Sequence, residues 1–275
     1  MKQRIITGAL LILFLAGMLW LPGWCMALAT LICIGFAVWE EYHALTTAGH
    51  KVVSWPAWLV LIGSVPLAYF AGTAASIVPL MAVALLLMVI MVLIRSNPDL
   101  TDLSMSVMPI LTVVLPGLSL VALSLASQKA VEVVLLSLTF AVPLLGDMFA
   151  LFVGSAVGGK KLCPAVSPNK TVAGSIGGLA GSVIAAMAVC LIARITCNEA
   201  TLARLPVWWQ YLMLGIVGGA VGQIGDLFAS LVKRHSGIKD FSNLFPGHGG
   251  MLDRLDSVLF MAVLVYCFRM FTGGV

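Results

Sequence analysis

Residues 75–94 read ASIVPLMAVALLLMVIMVLI, twenty consecutive positions without a charged side chain. An α-helix rises about 1.5 Å per residue, so a run of this length covers the hydrocarbon core of a bilayer. Similar runs lie on both sides of it. At about 20 apolar residues per span, helices are expected near 4–21, 23–40, 56–72, 75–94, 105–126, 131–154, 171–193, 207–232 and 255–272. The whole chain agrees: 61% of its 275 residues are hydrophobic, 9% are charged, and the mean hydropathy is +1.11. Soluble domains carry about 25% charged residues. The fold class expected is therefore all-α, a polytopic integral membrane helix bundle of about nine transmembrane helices.

Residues 1–21, MKQRIITGALLILFLAGMLWL, have the basic start of a signal peptide. No small-x-small site leads into a polar chain, and Leu21-Pro22-Gly23 turns straight back into apolar sequence, so a retained first helix is expected. Pro66, Pro109, Pro116 and Pro143 fall inside predicted spans and should kink or break them. The six cysteines have neither metal-type nor disulfide-framework spacing and read as core residues.

Charge placement gives the topology. With the N-terminus in the cytosol, the cytosolic segments collect Lys2, Arg4, Lys51, Arg95, Lys160, Lys161, Lys170, Lys233, Arg234, Lys239 and Arg254. The opposite side holds Lys129, Arg194, Arg204 and Arg269, so the positive-inside bias favours this orientation. Residues 1–130 then form an N-terminal region of about five helices, and 131–275 a C-terminal catalytic region with cytosolic loops 155–170 and 233–254. Loops this polar in so apolar a chain point to binding rather than bare connection.

The richest stretch runs from Ser230 to Ser257, SLVKRHSGIKDFSNLFPGHGGMLDRLDS. Lys233, Arg234, Lys239 and Arg254 supply positive charge for phosphates. The glycines of Pro246-Gly247-His248-Gly249-Gly250 let backbone N–H groups approach an anion, and Asp253 and Asp256 are hard oxygen donors. On the eighth helix Asp226, Ser230 and Lys233 share a face; on the ninth, Asp253 and Asp256 do. If those helices are neighbours, their carboxylates could hold one or two divalent ions. The same aspartates also suit the N-terminal cap of the ninth helix. Asp226 and Asp147 are carboxylates inside spans, which calls for a partner or a water-filled cavity.

The second loop, GSAVGGKKLCPAVSPNKT from Gly154 to Thr171, offers Ser167, Asn169, Lys170 and Thr171 to an anionic headgroup or a triphosphate just before a helix N-terminus. His248 reads as a base or a phosphate donor, or as a hydrogen-bonding scaffold residue. Glu40 and Glu41 end the second helix as interfacial anchors or as carboxylates at the site rim.

At these residues the chain closely resembles the phosphatidate cytidylyltransferase (CDP-diacylglycerol synthase) family. The signature stands here as Ser230, Lys233-Arg234, Lys239-Asp240, Pro246, His248-Gly249-Gly250, Asp253-Arg254 and Asp256. Gly225–Arg234, Val166–Thr171 and Asp147 are similar to further family motifs. The C-terminal half carries the close match; the N-terminal half matches by hydropathy, with Glu40-Glu41 as a candidate further point. Three positions depart from the pattern: Ala173 and Ala229 stand where glutamates are usual, and Leu151 where a tyrosine is.

The resemblance implies CTP and phosphatidate as substrates, with CDP-diacylglycerol and pyrophosphate as products. It implies Mg²⁺, in one or two ions, on Asp226 and Asp253, with Asp256 nearby. Lys170, Lys233 and Arg234 would engage phosphates, and Asp147 and His248 would complete the catalytic group. A homodimer among membrane lipids is implied, in a bacterial inner membrane with its site facing the cytosol; nucleic acid is not expected as a partner. The alternatives are a related CTP-dependent lipid-phosphate cytidylyltransferase, a lipid kinase, an inactive family member and, from another class, an ion-coupled transporter using Asp147 and Asp226.

Overall fold

A computed structural model describes residues 17, 23–71, 77–125 and 128–272. The first expected helix, 4–21, lies almost wholly outside the described residues. The described chain is helical apart from one small hairpin. Helix α1 spans Gly23–Thr47, α2 Trp55–Ala71 and α3 Ile77–Leu93. A fourth rod consists of α4 (Leu100–Pro109), a π-helical turn (Ile110–Val114) and α5 (Leu115–Ser124). Then come α6 (Lys129–Val157), the antiparallel strands β1 (Lys161–Cys163) and β2 (Ser167–Thr171), α7 (Val172–Thr196), the short α8 (Glu199–Leu202), α9 (Trp208–His235) and α10 (Leu252–Phe271).

Five of these are long and apolar enough to cross a membrane: α1, the Leu100–Ser124 rod, α6, α7 and α9. Helix α3 is apolar but shorter, as is the Trp55–Leu67 part of α2. Helix α10 carries Asp253, Arg254, Asp256 and Arg269 within its length. The chain is an all-α membrane protein, and its surface explains why. On α1, Trp24, Leu28, Ile32, Phe36 and Trp39 form an exposed stripe at helical spacing, while Glu40 and Glu41 are buried. That inverts the water-soluble arrangement and suits lipid outside.

Without a hydrophobic force between helices in lipid, small residues and close packing hold the bundle together. Helix α7 lies against α6 over its most extensive interface. A Cβ added to Gly177 or Gly181 would stand 2.6 Å from the Cβ of Val153 or Phe149, so only hydrogen fits there. The prolines act unequally. Pro66 and Pro143 are absorbed inside continuous helices. After Pro109 the helix widens into the π turn, where Leu115 donates its N–H to the Ile110 carbonyl five residues back. All six cysteines are free, but only Cys190 is buried; the expected core role holds there and not at exposed Cys267, which a lipid environment accommodates.

Candidate functional site

Four connections meet at one end of the bundle. His50, between α1 and α2, shares a 2.7 Å hydrogen bond with His235 at the end of α9. Asp102 of α4 accepts the Lys51 N–H (3.0 Å) and pairs with Arg95 (3.3 Å). Arg234 donates its Nε–H to the Val166 carbonyl in the hairpin turn, at 3.2 Å. The segment after α9 is tied to α1 through Glu40. Among the described residues, the connections grouped on one side by charge therefore share one end of the molecule, while Arg269 and the Arg204 carbonyl meet at the other.

The central piece is the pair α9 and α10, which pack together. Asp226, Ser230 and Lys233 share one face of α9, as their spacing requires. Gly225 lies at the crossing: a Cβ there would be 2.7 Å from the Asp256 carbonyl oxygen. Its absence lets α10 approach α9 until the Asp256 backbone lies against the turn that carries Asp226, and Asp147 stands on α6, which packs against both helices.

Cations answer these carboxylates. Lys170, the last β2 residue but one, pairs with Asp226. It is delivered there because Thr171 caps α7, its hydroxyl accepting the Gly174 N–H at 3.0 Å. Lys233 pairs with Asp253 at 2.6 Å and lies over the Phe241 ring. Ser230 reaches the other oxygen of Asp226 only at 3.5 Å. The polar bridge of Ser175 and Gln223 locks α7 to α9 one turn away.

The glycine loop folds onto Asp253. Pro246-Gly247 make a turn with Gly247 at φ +78°, closed by the His248 N–H on the Phe245 carbonyl (2.8 Å). Asp253 Oδ2 then accepts the N–H groups of Phe241 (2.8 Å) and Gly250 (2.9 Å). Gly249 has φ +82°, and a Cβ on it would be 2.8 Å from that same oxygen. His248 keeps a buried Nδ1 without a hydrogen-bond partner. Ser167, Asn169, Lys239 and Arg254 make no side-chain hydrogen bond among the described residues; all but half-buried Ser167 are exposed.

The family model for the cytidylyltransferase family matches residues 2–272. The chain belongs to the cytidylyltransferase family. A protein of Brucella abortus called phosphatidate cytidylyltransferase is 34% identical over 273 residues, covering 98% of this chain and 93% of the relative. Relatives of the same name in Bacillus subtilis and Staphylococcus aureus are 43% identical over 121 residues and 39% over 126, under half of either chain. Membership thus extends through the N-terminal half, beyond the motifs that carried the resemblance.

That half supplies what motif reading missed in this member of the cytidylyltransferase family. Glu40 accepts three hydrogen bonds from the segment between Ser242 and Leu252. Glu41 accepts from Thr112 of the π turn at 3.0–3.1 Å and lines a cavity, with room for about one water molecule, that it shares with Ala229 and Asp256. Both glutamates are buried, so an anchoring role at the membrane interface does not hold for them. The signals in sequence were a pair of acids at the end of an apolar stretch and their candidate match to the family, which left a place at the site rim open beside the anchor. Capping of α10 is divided in the same way: Glu40 takes the Met251 and Leu252 N–H groups, Asp253 takes that of Gly250, and Asp256 accepts the Ser257 N–H at 2.7 Å.

Proposed function

We propose that this chain is a phosphatidate cytidylyltransferase, converting CTP and phosphatidate to CDP-diacylglycerol and pyrophosphate. The observation that carries the reading is the convergence of the signature residues, from two distant loops and helices α6, α9 and α10, into one charged cluster at one end of an apolar bundle. A phosphatidate phosphate oxygen attacks the α-phosphorus of CTP in line. The new P–O bond replaces the bond to the β-phosphate, whose oxygen leaves with pyrophosphate. The nucleophile is already an oxyanion, so no protein nucleophile is needed; the work is to align two polyanions and offset their repulsion.

Lys170, Lys233 and Arg234 engage phosphates, with Lys239 and Arg254 at the rim and Ser167, Asn169, Thr171 and Ser230 as neutral contacts. The backbone at Gly249 and Gly250 lies alongside, and His248 presents its unpartnered Nδ1. Among the described residues no three His, Cys, Asp or Glu side chains form a ready metal cage. Magnesium does not require one, because it commonly takes one or two carboxylates together with substrate phosphates. Asp226 and Asp253, with Asp256 and Asp147 in the same cluster, are the residues that would hold it. Bound there, magnesium would offset charge on the triphosphate and on departing pyrophosphate.

The acyl chains stay in lipid while CTP reaches the site from the cytosol, in a homodimer spanning a bacterial inner membrane with about nine helices. The test supplies purified protein with phosphatidate, α-labelled CTP and Mg²⁺. Labelled lipid and pyrophosphate are expected from wild type and, at least about 100-fold less, from Asp253→Asn. CDP and a doubly phosphorylated lipid would indicate a kinase, and absence of any lipid product, labelled or not, would end the enzymatic reading.

A further inference from the structure

Glu40 belongs to the half of the chain that carries none of the signature, and it is 1% exposed. Its Oε1 accepts the Ser242 hydroxyl (2.5 Å) and the Met251 N–H (2.9 Å), and its Oε2 accepts the Leu252 N–H (2.7 Å). No cation pairs with it among the described residues. Its charge is met instead by donors at the start of α10, where backbone N–H groups lack intrahelical partners and the helix dipole favours an anion. A Cβ on Gly250 would run into the Glu40 carboxylate, so the loop closes against it with no room between.

One residue further on, Asp253 takes the Gly250 N–H and the Lys233 ammonium; one turn on, Asp256 sets its backbone against Gly225 of α9. Of the groups proposed to meet substrate, Glu40 touches only the Gly250 backbone and none of the charged side chains. It holds the backbone from which two of them project.

We infer that Glu40 is a positioning residue for cytidylyl transfer, fixing the glycine loop and the first turn of α10 so that Asp253, Lys233 and Asp256 keep their places. The inference rests on the proposed function for its kinetic consequence but not for its structural one. A burial role alone would be filled by any residue of the same shape. Glutamine has that shape, yet it presents one acceptor oxygen and turns an NH₂ group toward backbone donors.

The experiment compares wild type, Glu40→Gln and Glu40→Asp in detergent, measuring kcat and KM for CTP alongside hydrogen–deuterium exchange along the chain. For Glu40→Gln, kcat should fall about 10- to 100-fold, the scale of a misplaced catalytic group, with KM changing far less. Exchange should rise in 241–256 and stay at the wild-type level in α6 and α7. Glu40→Asp, which keeps the charge one methylene short, should fall between; it carries the test if the glutamine variant does not fold. Wild-type turnover and exchange in the variants would overturn the inference while leaving the proposed function intact. Exchange rising throughout the molecule would reduce Glu40 to a general element of the fold and overturn it as well. A wild type that makes no CDP-lipid would instead defeat the functional reading, and the exchange pattern would still decide whether Glu40 holds the loop.

Discussion

Two charged networks lie at the same end of the bundle and differ in kind. In the N-terminal half one carboxylate, Asp102, is surrounded by donors: the Lys51 N–H, the Arg95 guanidinium and the His50 ring. In the C-terminal half Asp226 and Asp253, on helices that pack together, are each held by a lysine from another segment, Lys170 and Lys233, with Asp256 one turn beyond Asp253. The first network is satisfied from within and fastens α1, α2 and α4 together. The second sets single lysines against carboxylates that the proposed chemistry would use, so the same cations hold the fold and are placed to meet phosphate.

The comparison is sharpened most by Lys233→Met. Asp253, with 4% of its side chain exposed, would lose its cation and keep only backbone donors. Activity should fall about 100- to 1000-fold, as for loss of a preorganised electrostatic group, and stability by about 3–5 kcal/mol, as for a broken buried pair. Product formation and thermal unfolding in detergent measure the two. Gly249→Ala comes next: its positive φ and its contact with Asp253 should cost about 1–2 kcal/mol and about tenfold in rate, read in the same assays. The smallest catalytic effect belongs to Asp102→Asn. This change should lower stability by about 1–3 kcal/mol yet leave kcat within about twofold of wild type. A large loss of kcat at undiminished stability would mean that the N-terminal network takes part in the reaction, and the distinction between the two networks would collapse.

The two halves also differ in how far sequence alone could be followed. Among the described residues, apolar runs gave most helices to within a few residues, α1 running on to Thr47, because backbone groups in lipid must be bonded within their own segment and length then follows from bilayer thickness. Their ends were less legible: α6 runs to Val157 and α9 to His235, and the loop between α6 and α7 contains a hairpin whose strands carry no clear alternation. Helical spacing put Asp226 with Ser230 and Lys233 on one face. It could not pair Lys170 with Asp226 or Lys233 with Asp253, since those partners are 56 and 20 residues apart.

What the sequence determined by itself is therefore local or additive: membrane residence, from the summed transfer of apolar side chains; the grouping of loops on one side, from the distribution of lysine and arginine; and the chemistry on offer, from a signature dense in carboxylates, cations and glycines. Tertiary structure alone decided which charge meets which. It placed Gly225 against Asp256, laid the glycine loop over Asp253, and drew Glu40 across more than two hundred residues to the first turn of α10. The reason is physical. A hydrogen bond between distant segments leaves no periodicity in either, and a buried carboxylate declares its partners only when packing has removed every alternative, water included.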